Sequence, residues 1–309
     1  MRSVERSVIS ELPESLRTQL DSFSFFGSTG FAKIWEAVGG CAVCWVLRDS
    51  ESVIGVLTGV EFRSRPLTRF QSMPDGCYAR LFCAAGHEAE RGQAARMMLA
   101  AVRKAGYARI YLADYFRDFD LESEVNSQRY ETPVVDISSP DWQPPDAKLQ
   151  SEIRKAEREG VVVTAFSTES HMDKFIDLMT RAESRHQRPP RYSREFFLKL
   201  AGLAAIDDRV RWYWVEHNGA PVVSHIYLVD KTMALNWQIY FDKEFSSLKA
   251  NQLVMFRAAK ALAASGVTHL NLGATPPDAE SVRAYKQKWG GEVYSYPITV
   301  HTSWLGRLL

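Results

Sequence analysis

The chain has 309 residues, 46% of them hydrophobic and 24% charged, with a formal net charge of +1. That length suits two cores better than one, and the composition is that of an ordinary folded protein rather than a disordered or fibrous one. The near-neutral balance argues against a globally basic nucleic-acid binder, although it leaves room for a local basic groove. The opening MRSVERSVISELPESL lacks the apolar core of a signal peptide. No segment approaches the roughly 20 uncharged apolar residues of a membrane span, so the expected location is the cytoplasm. Cys41-x-x-Cys44 sits in the apolar run CAVCWVL with no second such pair. Buried free thiols are therefore expected there rather than a metal site.

In chain order, residues 1–24 read as a helical lead-in, with Leu12, Leu16 and Leu20 at helical spacing. Ser28 is placed to cap a short helix that ends at Gly39-Gly40. CAVCWVL and VIGVLTGVEF read as strands joined by a turn at Asp49-Ser50, and RSRPLTRF as a loop into an edge strand. A helix is predicted from Glu88 to Lys104, followed by the strand ARIYLA, an irregular polar stretch, and TPVVDI at a sheet edge. The proline-rich SSPDWQPPD, residues 138–146, is the expected linker.

Asp146 then caps a helix with Leu149, Ile153 and Ala156 inward, and VVVTAF reads as a strand. Ser170 and Ser193 are expected to cap the next two helices. A three-strand meander follows. Its first turn, Asn218-Gly219, is the strongest hairpin signal in the chain. A long helix, the strand VTHLNL, a further helix, Gly290-Gly291 and the strand EVYSYPITV complete the order. The helix–glycine–strand stretch at 248–273 is echoed at 91–113. The stop glycines Gly106 and Gly266 lie 160 residues apart, and Ile110 and Leu112 match Leu270 and Leu272 at the same offset. One α/β module is therefore expected twice.

Four motifs in order carry a resemblance: RKAEREGV at 154–161, Asn-Gly-Ala-Pro-Val-Val at 218–223, the Tyr240/Asp242/Leu248/Ala250/Asn251 stretch, and Tyr285-Lys286-x-x-Trp289-Gly290-Gly291. Together they resemble the FemABX-like branch of the GNAT acyltransferase superfamily. The resemblance covers 148–300 well and 25–137 loosely. It implies an α/β fold of two tandem GNAT-like modules, each a mixed, mostly antiparallel sheet flanked by helices. The expected division is a lead-in at 1–24, a degenerate module at 25–137, the linker at 138–146, and an active module at 147–309.

The resemblance implies N-acyl transfer to an amine. It gives Lys286 the role of stabilising the oxyanion, a task for which a positioned cation suits a water-poor site. Tyr240 and Asp242, at the end of the third meander strand, are candidates for hydrogen-bond donation and proton acceptance. His225 interrupts VVSHIYLV on the face shared by Val223 and Tyr227, which makes it either a general base or a hydrogen-bonded structural residue. TRAESRHQRPPRYSR carries five arginines against one acid. The resemblance implies that Arg185 or Arg191 in this loop binds a phosphate-bearing acceptor, with Tyr192 beside them. Asn251 at a helix start and Tyr285 in the last motif complete the substrate-binding set, and no metal ligand is expected.

A CoA site of this superfamily uses (Gln/Arg)-x-x-Gly-x-(Gly/Ala), whose backbone N–H groups cradle a pyrophosphate. SSLKAN stands at that place in the second module, and the first has only Gly92-Gln93-Ala94 behind Ala89. The expected donor is therefore aminoacyl-tRNA, with no bound cofactor. The acceptor is the amine of a small or cell-wall-type molecule. An acyl-CoA-dependent enzyme and a non-catalytic phosphate-binding module are the alternatives.

Overall fold

The computed structural model describes residues 1–64, 66–119, 121, 127–185, 187, 189–275 and 279–303. The chain forms two compact units: Met1–Tyr130 with Ser295–Leu309, and Glu131–Tyr294. Residues 138–146, expected as the linker, lie inside the second unit, and the division falls before them.

The first unit opens with β1 (Arg2–Val8), not with a helix. This corrects the helical reading of residues 1–24. The strand pairs antiparallel along its whole length with a later strand, and tertiary pairing outweighs the weak local helical signal. Helical spacing begins only past Pro13, in α1 (Glu14–Phe23), where Leu16 and Leu20 are buried. Ser28 caps α2 (Thr29–Ile34), its side chain accepting from Phe31 N at 3.2 Å.

Next come β2 (Gly40–Asp49), β3 (Ser52–Ser64), β4 (Leu67–Ser72), β5 (Leu81–Cys83), α3 (Arg91–Lys104) and β6 (Arg109–Ala113). β4 is not an edge strand, because it sits between β3 and a parallel β6. Its Pro66 precedes the strand, so no ladder hydrogen bond is lost. The buried face collects Val43, Leu57, Phe70, Met98, Val102 and Ile110 into one core. Cys44, Cys77 and Cys83 are buried free thiols and Cys41 is half-buried.

The second unit takes in β7 (Ser127–Asp136) from Glu131 onward. It continues with α4 (Ala147–Arg158), β8 (Thr164–Ala165), α5 (Thr168–Ser184), α6 (Arg194–Ala204), β9 (Val210–His217), β10 (Ala220–Asp230), β11 (Met233–Phe241), α7 (Ala250–Ala264), β12 (His269–Asn271) and α8 (Glu280–Gln287). The last strand is β13 (Glu292–Thr302); from Ser295 onward it belongs to the first unit, within which Ile298–Thr302 pairs with β6. Strand order in the second unit is β7-β12-β11-β10-β9-β8. Asn218 and Gly219 both take positive φ, 52° and 77°, the geometry that lets a two-residue hairpin follow strand twist. VVVTAF yields only the two residues of β8. Ser170 lies inside α5, whose N-cap position is Ser167.

α7 organises this unit. Leu253, Val254, Met255, Ala258, Ala259 and Leu262 are all buried, so the helix is covered on most sides rather than along one stripe. α4 lies against it: Lys155 Nζ donates to Ser247 O at 2.9 Å, and Glu152 reaches Lys249 at 3.2 Å. Gly266 after α7 and Gly106 after α3 take φ of +91° and +78°, the left-handed C-cap that glycine adopts without steric cost.

The two units repeat one topology. β3–β4 and β10–β11 are antiparallel, while β4–β6 and β11–β12 are parallel, each parallel pair bridged by its long helix. Among the described residues no helix is long and apolar enough to cross a membrane.

Candidate active site

The site of the second unit arises where two parallel strands part. Among the described residues, β11 and β12 pair only over Met233–Leu235 and His269–Asn271. β11 then runs on beside β10 to Phe241, opposite Val223. Past Leu235 it has lost its parallel neighbour, and a cavity of ≈ 450 Å³ lies against this stretch. Val222, Val223, Ile239 and Phe241 supply its apolar floor; Ala250, Asn251 and Gln252 come from the start of α7, and Tyr285 and Lys286 from α8. A mostly apolar cleft with a few convergent polar groups is the usual form of a small-molecule site.

Lys286 lines this cavity. Its Nζ donates to Gly273 O at 2.7 Å and Ala274 O at 3.1 Å. Burial lowers its pKa from 10.5 to about 8, and among the described residues no carboxylate pairs with it. An ammonium held by two neutral carbonyls keeps a third N–H and its full charge for a ligand. The acceptors are themselves held in place. Gly273 N donates to Asn271 Oδ1 at 2.8 Å, and the Thr132 hydroxyl donates to the same oxygen. Sequence reading missed this brace. Its trace was an Asn buried in a strand, two residues before a glycine.

Asn251 and Tyr285 also meet at the cavity. Asn251 Nδ2 donates to the Tyr285 hydroxyl at 3.1 Å, and burial raises that hydroxyl above its ordinary value, so it stays protonated. His225 does not line the cavity. It is fully buried behind Asn251, with Nε2 2.8 Å from Asn251 Oδ1 and Nδ1 2.9 Å from the Tyr227 hydroxyl. Burial lowers its pKa to about 4, so it is a neutral, fully bonded histidine. The hydrogen-bonded structural alternative is the one the geometry supports, because both ring nitrogens are engaged within the protein.

Asp242 lines the cavity and is buried. Its Oδ1 accepts from Glu244 N at 3.1 Å, and its Oδ2 lies 3.3 Å from Arg181. Arg185 donates to Phe241 O at 2.7 Å and stacks over the Phe241 ring at 5.2 Å. It therefore braces the end of β11 beside the cavity.

Two assignments, Tyr240 and Tyr192, need correction. Tyr240 alternates away from Ile239 and Phe241, so it points to the other face, against Phe175 and Phe197, with its hydroxyl donating to Gln238 at 3.3 Å. Tyr192 is buried in an aromatic cluster, stacked on Phe196 at 4.3 Å. Arg191 is exposed on the segment between α5 and α6 and is not among the cavity residues. Arg188 and Arg65 lie outside the described residues. From its placement, Tyr240→Phe should change kcat by no more than about twofold, since surviving packing retains most of a buried aromatic's contribution. A loss of tenfold or more in steady-state turnover would return Tyr240 to the site.

The first unit closes the equivalent position. Beyond the parallel β4–β6 pair, Ala79 N donates to Ala113 O at 2.8 Å, and Tyr78 stacks on Tyr115 at 4.5 Å.

Residues 146–287 match the family model of the acetyltransferase (GNAT) domain. No curated protein matches the chain by sequence. Among solved structures, FemX aligns with 95% of this chain and 96% of its own at 12% identity and a TM-score of 0.69. The C-terminal domain of a putative lysylphosphatidylglycerol synthetase from Agrobacterium fabrum aligns with 94% and 93% at 12% identity and 0.63. A tandem GNAT protein of the clavulanic acid biosynthesis pathway aligns with 98% of both chains at 14% identity and 0.55. The second unit thus carries a GNAT acetyltransferase domain, and the chain is an acyltransferase with the fold shared by FemX and the tandem GNAT proteins.

Proposed function

We propose that the second unit transfers an aminoacyl group from aminoacyl-tRNA to the amine of a small or cell-wall-type acceptor, without a bound cofactor. The observation that carries this reading is Lys286, a half-buried ammonium with no carboxylate partner among the described residues, set at the edge of an apolar cavity. A charge kept there at a cost in solvation is worth most where negative charge develops during reaction. The acceptor amine attacks the ester carbonyl, a C–N bond forms, and the carbonyl oxygen takes up charge facing Lys286. Asp242, on the same cavity, receives the proton from the attacking nitrogen. Collapse of the intermediate breaks the C–O bond, and the ribose oxygen leaves with a proton.

Two features support the tRNA donor. The start of α7 carries no glycine, and Lys249, in the left-handed conformation at its N-cap, is tied to Glu152 at 3.2 Å. A pyrophosphate cradle at a helix start needs open backbone N–H groups rather than side chains. The likeness to a synthetase named for an aminoacylated lipid supports an aminoacyl rather than a plain acyl group. The second reading, an acyl-CoA-dependent N-acyltransferase, is favoured by the acetyltransferase domain match over 146–287.

Incubation with mixed aminoacylated tRNAs and, separately, with acetyl-CoA separates them. The expected result is tRNA deacylation that weakens steeply with salt. Thiol release from acetyl-CoA with intact charged tRNA would reverse the assignment.

A further inference from the structure

We propose that Tyr285 is a second donor to the oxyanion beside Lys286, and that Tyr227, His225 and Asn251 form a buried chain that turns its hydroxyl proton into the cavity. This rests on the acyl-transfer reading above. The chain runs from the Tyr227 hydroxyl to His225 Nδ1 (2.9 Å), from His225 Nε2 to Asn251 Oδ1 (2.8 Å), and from Asn251 Nδ2 to the Tyr285 hydroxyl (3.1 Å).

A chain of this kind has two possible directions. In one, every proton points from Tyr227 toward Tyr285; in the other, all are reversed and the Asn251 amide is flipped. The buried end decides between them. Tyr227 is fully buried, and among the described residues its hydroxyl has no hydrogen-bond partner besides His225. If His225 Nδ1 donated to it, the Tyr227 proton would be buried without an acceptor. A stranded donor costs on the order of 1–3 kcal/mol, whereas an oxygen left with a spare lone pair is better tolerated. Tyr227 therefore donates.

A neutral imidazole carries one proton, so Nδ1 accepts, and Nε2 donates to Asn251 Oδ1. That fixes the amide, whose nitrogen then donates to the Tyr285 oxygen. The Tyr285 proton has to leave by the remaining direction. The ring lines the cavity one residue before Lys286, so this end of the chain faces the bound acyl group. Tyr285 is the catalytic residue in this scheme, and Tyr227, His225 and Asn251 are positioning residues.

The direction is measurable without substrate. In 15N-histidine-labelled protein at pH 7, with His225 assigned by its absence in His225→Gln, the expected signal is the neutral tautomer protonated at Nε2. The Nδ1-protonated form overturns the proposal. Turnover is read with hydroxylamine as the accepting amine and whichever of charged tRNA or acetyl-CoA the wild type consumes. Tyr285→Phe should lower kcat about 10–100-fold with KM within about twofold. Asn251→Ala should do the same, and the double variant should be no worse than Tyr285→Phe alone.

His225→Leu should match that loss. His225→Gln, whose amide nitrogen reaches the Nε2 position and donates to Asn251, should recover kcat to within about tenfold of wild type. Additive losses, or equal damage from Gln and Leu in folded protein, would sink the idea. A wild type that consumes neither donor overturns the acyl-transfer reading and the oxyanion role with it. The tautomer measurement would still decide the chain's direction.

Discussion

Lys286→Met is expected to lower kcat by about 10²–10³-fold, the cost of removing one preorganised oxyanion donor, while leaving the melting temperature unchanged or raised. The combination is diagnostic. A lysine that merely closed α8 onto the Gly273 and Ala274 carbonyls would lose stability on replacement. Here burial already opposes the charge, with the folded pKa at about 8 against an ordinary 10.5. Between those values the unfolded chain binds more protons than the folded one, so this group makes stability rise with pH across the window. Below about pH 8 the ammonium is present and its burial opposes folding in full. Methionine keeps the apolar stem and removes that opposition, as expected where a residue is kept for activity at the expense of stability. In wild type, the rate should fall on the alkaline side with an apparent pKa near 8, as the ammonium is lost, and Lys286→Met should abolish that limb. Steady-state kinetics from pH 6 to about 9.5, with thermal melts of both proteins, would check this. Melting lowered in step with activity would reassign Lys286 to a structural role.

Arg80→Met should cost about 3–5 kcal/mol of stability, the usual penalty for breaking one side of a buried ion pair. Arg80 and Asp118 have side chains only 6% and 8% exposed, with Nε and Oδ2 2.9 Å apart. The guanidinium is sandwiched between the Phe23 ring at 4.7 Å and the Phe116 ring at 4.0 Å. Asp118 also accepts from Leu81 N at 3.0 Å and from Arg91 at 2.9 Å, so its charge ties β5, α3 and the segment after β6 together. Removing Arg80 leaves that carboxylate buried with half its compensation. Replacing both partners, Arg80→Met with Asp118→Asn, should cost less than the sum of the single changes, because the stranded charge is gone. Urea unfolding followed by far-UV circular dichroism gives the numbers. A single-variant loss under about 1 kcal/mol would mean that Arg91 alone satisfies Asp118.

Local signals were legible wherever a residue type meets a geometric demand by itself. Ser28, Asp146 and Ser193 cap the helices assigned to them, because a short side-chain oxygen reaches the exposed N–H groups of its own helix. Asn218-Gly219 makes the predicted hairpin, and Gly106 and Gly266 stop the predicted helices, because few other residues take those φ values cheaply. The lead-in at 1–24 misled because strand formation by Arg2–Val8 depends on β2, more than thirty residues away. Tyr240 misled for a related reason. Its motif position is one residue from Phe241, and alternation along a strand turns that single step into the opposite face of the sheet.

The amino-acid sequence by itself determined the repeated helix–glycine–strand module, the acyltransferase resemblance and the place of Lys286 beside Tyr285. Each of these is written in residues close together or at fixed spacing. Only the tertiary structure decided which side chains share the cavity. It placed Asp242, Asn251, Tyr285 and Lys286 there, withdrew His225 behind Asn251, and sent Tyr240 and Tyr192 into aromatic packing. The physical reason is that the cavity exists only because β12 ends at Asn271 while β11 continues to Phe241. The point where two strands part is set by the pairing of both, and neither strand carries it alone.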